Sequence, residues 1–119
     1  MKKILIVEDN ENNMYLMNFI LSKKYEIIKA DTGEKGVELA IKEMPDLVIM
    51  DIQLPDIDGF EATKRIRESD ANGDIPIVAI TSYAMAGDKE KIINAGCNGY
   101  IEKPIDPETF VTQLEKFIK

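Results

Sequence analysis

The sequence predicts an α/β fold, a parallel β-sheet with helices packed on both faces. Two observations predict it. Short apolar runs rich in β-branched residues, Ile4–Val7, Leu47–Met50 and Ile77–Ile80, recur along the chain and read as buried parallel strands. Helical stretches separate them, so strand and helix alternate five times, with no linker, repeat or low-complexity segment. Right-handed crossovers then place helices on both sides of one sheet.

Each element has a local reason. Ile4–Val7 is the first strand, and the first helix follows from about Asn12 to Lys23, with Asn10 able to cap its start. Leu16, Met17, Ile20 and Leu21 form the core stripe of that helix. Tyr15 and Phe19, four apart, are left over on a flanking face, where they either pack against the last helix or form a docking patch. Tyr25–Ala30 alternates enough to be an edge strand, and the second helix, Gly33 to Glu43, stops before Pro45. Leu47–Met50 is apolar throughout, hence buried on both faces. Gln53–Gly59 is a turn-rich loop, the third helix runs from Phe60 to about Glu68, and Ala71–Asp74 is a polar loop. Ile77–Ile80 is the fourth strand, and the fourth helix ends near Ala95 with Gly96 closing it. Tyr100–Glu102 is the fifth strand, and Asp106 caps the last helix with Pro107 in its first turn.

Bulk properties narrow the function. A chain of 119 residues holds one domain and one core. The net charge of −7 argues against direct nucleic-acid binding, which calls for a basic stripe. No apolar stretch is long enough to span a bilayer, and Met1-Lys2-Lys3 leads into too short a run for a signal peptide, so the cytoplasm is expected. The chain contains no histidine, which removes imidazole acid–base chemistry and His-ligated zinc. Its single cysteine, Cys97, excludes an internal disulfide and reads as a small packed residue.

The polar residues that end the strands carry the chemistry. Glu8-Asp9, Asp51, Thr81 and Glu102-Lys103-Pro104 each follow an apolar run. In an open α/β sheet, sites form beyond the carboxyl ends of the strands. Three carboxylates, a hydroxyl and an ammonium therefore converge. Clustered carboxylates repel and call for a cation, and hard oxygen ligands without histidine suit Mg²⁺. Taken alone, Asp51 is a metal ligand, a nucleophile or a solvated strand end. Thr81 is a backbone-satisfied hydroxyl or a donor to a phosphoryl oxygen. Lys103 precedes a proline, and an X–Pro bond in a turn aims the side chain before it. Tyr100 either covers the sheet edge or has a role of its own.

These residues resemble a known family. Val7-Glu8-Asp9-Asn10, Asp51 followed by Leu54-Pro55-Asp56-Ile57-Asp58-Gly59, Ile80-Thr81 and Lys103-Pro104 are similar, in order and over the whole chain, to the receiver domain of two-component response regulators. Stand-alone single-domain regulators, of the chemotaxis and cell-division type, and receivers of hybrid kinases are the nearest in pattern. The resemblance implies a flavodoxin-like (βα)5 fold of five parallel strands in order 2-1-3-4-5, filling residues 1–119 as one receiver domain. It implies that Asp51 is the phosphoacceptor, and that Asp9, Asp51 and the backbone carbonyl of Gln53 hold Mg²⁺ with Glu8 acting through water. It also implies that Lys103 clamps the phosphoryl group and that Thr81 and Tyr100 form the switch. Gln53 and Tyr83 occupy the positions that modulate dephosphorylation in this family. The implied partners are a sensor histidine kinase or histidine phosphotransfer protein, and a downstream protein target on the face built by the fourth helix, fifth strand and fifth helix. A monomer or weak dimer is expected, with no enzyme activity beyond its own phosphorylation and dephosphorylation. Two rival readings are a non-phosphorylated scaffold and a Mg²⁺-dependent aspartyl phosphohydrolase. The hydrolase would need a second acid where Gln53 stands.

Overall fold

A computed structural model describes residues 1–69, 74–82 and 86–118. The described residues form β1 (Lys3–Val7), α1 (Glu11–Leu21), β2 (Glu26–Ala30), α2 (Gly33–Glu43), β3 (Leu47–Asp51), α3 (Gly59–Arg67), β4 (Ile77–Thr81), α4 (Ala86–Ala95), β5 (Gly99–Glu102) and α5 (Phe110–Glu115). The strands are all parallel, in the order β2-β1-β3-β4-β5. This is the flavodoxin-like arrangement that the resemblance implied.

Alternation along each strand divides the core. Ile4, Ile6, Ile49, Val78, Ile80 and Ile101 face α1 and α5, where Met17, Leu21, Phe110 and Leu114 close the layer. Leu5, Val7, Val48, Met50, Ile77 and Ala79 face α2, α3 and α4, meeting Ala40, Ala62, Ile66 and Ile92. β3 is buried on both sides, so the residue that ends it, Asp51, is held in the centre of the sheet.

The helix starts follow the capping residues. Asn10, Thr32 and Asp58 each accept a backbone N–H three residues on, opening α1, α2 and α3. Several boundaries differ from the sequence reading. α1 ends at Leu21 because the Tyr25 N–H turns back to the Leu21 carbonyl, which also delays β2 to Glu26. α3 begins at Gly59, one residue early, directly on its Asp58 cap. Asp106 caps a turn rather than α5: its side chain accepts from Glu108 N–H and its carbonyl from Thr109 and Phe110, so the helix proper begins at Phe110.

Two linkages brace the sheet. The Asp56 carboxylate accepts from Gly33 N–H with one oxygen and Glu34 N–H with the other, each at 2.8 Å, joining the β3–α3 loop to the start of α2. The Arg67 guanidinium, at the end of α3, donates to the carbonyls of Ile75 and Gly96 and to Asn98 Oδ1. Gly96 has φ +108 and closes α4, as expected, and a Cβ there would meet the Arg67 side chain at 2.9 Å. The single cysteine is packed, with Cys97 Sγ 3.7 Å from Thr63 Oγ1.

Candidate functional site

The parallel register brings the strand ends level. Val7 pairs with Met50, Asp51 with Ile80, and Thr81 with Glu102, so the residues after β1 and those ending β3 and β4 share one edge of the sheet. The β1–α1 turn carries Glu8 and Asp9 over it. A Cβ on Gly59 would collide with the Asp51 carbonyl oxygen, so the β3–α3 loop folds directly against the strand end. The result is a cleft of about 550 Å³ lined by Asp9, Asn13, Asp51, Gln53 and Lys103 among others.

Glu8, Asp9 and Asp51 each present a carboxylate oxygen within 4.8 Å of the others. Their burial is unequal. Glu8 and Asp51 are 1% and 3% exposed, whereas Asp9 is open to solvent. Asp51 is held from two sides: Gln53 N–H donates to Oδ1 at 3.1 Å and Lys103 Nζ lies 3.2 Å from Oδ2. The same ammonium lies 3.2 Å from Glu8 Oε1, close enough for an ion pair but without hydrogen-bond alignment, so both Glu8 oxygens lack a hydrogen-bond donor. Burial, and then the adjacent Asp51 carboxylate, push the Glu8 pKa up to about 8, with Lys103 offsetting part of the rise. Burial pulls the Lys103 ammonium down, but the carboxylates of Glu8 and Asp51 outweigh it and its pKa stands above the ordinary lysine value. Three converging carboxyl groups, with both Glu8 oxygens lacking a hydrogen-bond donor, fit a hard divalent cation of the Mg²⁺ kind.

The other residues singled out in the sequence fall around this cluster. Thr81 is 4% exposed, and its carbonyl accepts the Lys103 N–H at 2.8 Å, which ties the Lys103 backbone to the end of β4. The Lys103–Pro104 peptide bond is cis. Tyr100 is half-buried on the α4 side of the sheet, opposite Ala79. The Gln53 side chain is exposed at the cleft, and Tyr83 lies outside the described residues. On α1, Tyr15 and Phe19 are 70% and 53% exposed and stack on each other with ring centroids 6.3 Å apart. Packing against α5 is therefore overturned, because the core stripe Met17 and Leu21 already fills that contact. Lys23 Nζ extends the row, 4.6 Å from the Phe19 ring.

Two features escaped the sequence reading. The Asp56 brace leaves no periodic signal, because its partners lie more than twenty residues upstream. Lys89 Nζ stands 5.6 Å from the centre of the Tyr100 ring, a contact visible only once α4 is packed on β5.

Known proteins share this arrangement. The polar-differentiation response regulator DivK of Brucella anthropi is 42% identical over 118 residues, 98% of this chain and 96% of that protein. The receiver domain of the sensor histidine kinase PA1611 from Pseudomonas aeruginosa, whose structure has a magnesium ion coordinated in the active site cleft, superposes with a TM-score of 0.90 at 32% identity, covering 98% of this chain and 96% of that one. A co-crystal structure of the Saccharomyces cerevisiae histidine phosphotransfer signaling protein Ypd1 with the receiver domain of its downstream response regulator Ssk1 matches with a TM-score of 0.88 at 30% identity, covering 98% and 88%. The response regulator receiver domain family matches residues 4–115, and with the strand order, the level strand ends and the acidic cluster this establishes that the chain belongs to that family of two-component signalling domains.

Proposed function

We propose that this chain is a phosphoryl-accepting switch of a two-component phosphorelay, that residues 1–119 act as one receiver domain, and that Asp51 is the acceptor. One observation carries the reading: Asp51 is a nearly buried carboxylate at the end of the central strand, with one oxygen held by a backbone N–H and the other by an ammonium. Such a group is positioned as a nucleophile and is not a solvated strand end. Mg²⁺, held by Asp9, Asp51 and the Gln53 carbonyl with Glu8 acting through water, would supply the positive charge that neutralises a transferring phosphoryl group.

The side chains do the rest. An Asp51 oxygen attacks phosphorus as the P–N bond of a phosphohistidine donor breaks, and the electron pair leaves with the imidazole nitrogen. Lys103, already between Asp51 and Glu8, turns its ammonium to a phosphoryl oxygen. Thr81 donates its hydroxyl to another. That movement draws the end of β4 toward the site and lets Tyr100 turn over the small Ala79 beside it, changing the α4–β5–α5 surface offered to a downstream protein. The donor is a histidine kinase or histidine phosphotransfer protein, since the chain has no histidine of its own. The exposed Tyr15–Phe19 pair on α1, beside the cleft, suits its docking. Gln53 in place of a second acid speaks against the hydrolase reading. Among the described residues no helix is long and apolar enough to cross a membrane. We further propose a cytoplasmic regulator acting as a monomer or weak dimer.

Intact-mass measurement after incubation with acetyl phosphate and Mg²⁺ tests the reading. One phosphoryl group is expected on the native chain and none on Asp51→Asn or in EDTA. Undiminished labelling of Asp51→Asn would overturn it.

A further inference from the structure

The face of the sheet beneath α4 holds an arrangement that the site does not require. Thr81 and Ala79 on β4, and Tyr100 and Glu102 on β5, alternate onto the same face, since Ala79 pairs with Tyr100 and Thr81 with Glu102. Lys89, one turn into α4, reaches across it: its Nζ is 5.6 Å from the centre of the Tyr100 ring. The Tyr100 hydroxyl, and to a smaller degree Glu102, raise the Lys89 pKa above its ordinary value. The Lys89 side chain is exposed, while Tyr100 is half-buried, so the contact spans the boundary between water and core.

We infer that Lys89 is a positioning residue that holds the Tyr100 ring at the surface and so sets the threshold at which the domain switches. The inference rests on the proposed role of Tyr100 and adds a determinant to it. A ring that turns inward over Ala79 leaves an ammonium whose hydration keeps it outside. The contact is lost in the switched state and present in the resting one. An interaction confined to one of two states shifts their ratio by its full strength. An exposed contact of an ammonium with a tyrosine ring and its hydroxyl corresponds to about a two- to fivefold bias toward the resting state.

The experiment is a beryllofluoride titration with Mg²⁺ on the whole chain, followed through the amide resonances of β5. Native, Lys89→Met, Lys89→Arg and Tyr100→Leu chains are compared, with Lys89→Met also made in the Tyr100→Leu background. Met keeps the length of the side chain and loses the charge, whereas Arg restores a cation over the ring. Lys89→Met should reach half-saturation at a two- to fivefold lower beryllofluoride concentration, Lys89→Arg should match the native chain, and the charge loss should have no effect once Tyr100 is Leu. An unchanged or raised midpoint in Lys89→Met would overturn the inference. So would an effect that survives in the Tyr100→Leu background, which would assign it to long-range charge. If beryllofluoride binds the native chain but leaves the Tyr100 amide unmoved, the switching role of Tyr100 fails and the inference with it.

Discussion

Replacing Lys103 by Met tests how the charge at the site is balanced. The ammonium stands 3.2 Å from carboxylate oxygens of both Glu8 and Asp51, which are 1% and 3% exposed. A contact between two ionised groups at that distance is worth about 5 kcal/mol at an effective dielectric of about 20, before the cost of burying the groups. Removing one partner of a buried pair costs about 3–5 kcal/mol net, because the remaining charge is left in a poor solvent. Here the loss should fall near or below the lower end, about 2–3 kcal/mol, because burial and Asp51 push the Glu8 pKa up to about 8, so near neutral pH Glu8 is already largely protonated and the ammonium balances little more than one carboxylate. Met retains most of the aliphatic stem, so little packing is lost. Urea unfolding in EDTA near neutral pH measures the effect. At an m-value of about 2 kcal/mol/M the midpoint should fall by about 1 M with an unchanged slope. Millimolar Mg²⁺ should recover much of the difference, since a cation that binds only the folded chain replaces the missing charge. A Lys103→Met chain as stable as the native one in EDTA would refute the reasoning, for the acids would then be accommodated without the ammonium. Stability lost equally with and without Mg²⁺ would instead place the role of Lys103 in packing.

Three further outcomes are expected. Met44 ends α2 with φ 47, a left-handed conformation unfavourable for a side chain, so Met44→Gly should raise the unfolding free energy by about 1 kcal/mol, read from the urea midpoint. Arg67→Met removes the side-chain donor to the carbonyls of Ile75 and Gly96, while Asn98 Oδ1 keeps the Ile77 N–H, and should cost about 2–3 kcal/mol in the same assay while leaving acetyl phosphate labelling intact. Alanine at both Tyr15 and Phe19 should slow transfer from a phosphohistidine protein several-fold, spare labelling by acetyl phosphate and leave the urea midpoint unmoved, because both rings stand in solvent; equal slowing with the two donors would remove the docking role.

Much of this molecule was legible before any coordinates, for a physical reason. A strand buried on both faces can contain little but apolar residues, so Leu47–Met50 and Ile77–Ile80 announce themselves, and the first polar residue after each must lie at the sheet's edge. Asp51 and Thr81 follow from that alone. What the sequence concealed depends on contacts between elements. Tyr25 fits a strand by composition, yet its N–H closes the turn after α1 and its hydroxyl meets Glu115 near the end of the chain. Asp106 reads as a helix cap and caps only a turn, since both kinds of turn present the same N–H groups to the side chain. The acid pair Glu8-Asp9 reads as one direct ligand, Asp9, and one acting through water, Glu8, but nothing in the local sequence shows that Glu8 is buried beneath Lys103 while Asp9 is open to water. Lys89 over Tyr100 and Asp56 across to α2 join residues 11 and more than 20 positions apart, and no local pattern encodes such pairs.

The Asp56 fork gives the domain a handedness in how it can yield. A single carboxylate grips the first two amides of α2, and the loop that carries it leaves Asp51 directly, so the β2 side of the acceptor behaves as a buttress. On the β5 side, the Thr81 carbonyl accepts the Lys103 N–H, and the small Ala79 stands beside the half-buried Tyr100 ring. These contacts predict that a push applied at the end of the central strand would meet more resistance on the α2 side than on the β5 side. On the proposed reading, the signal would leave by the β5 side, and a downstream protein would approach from there.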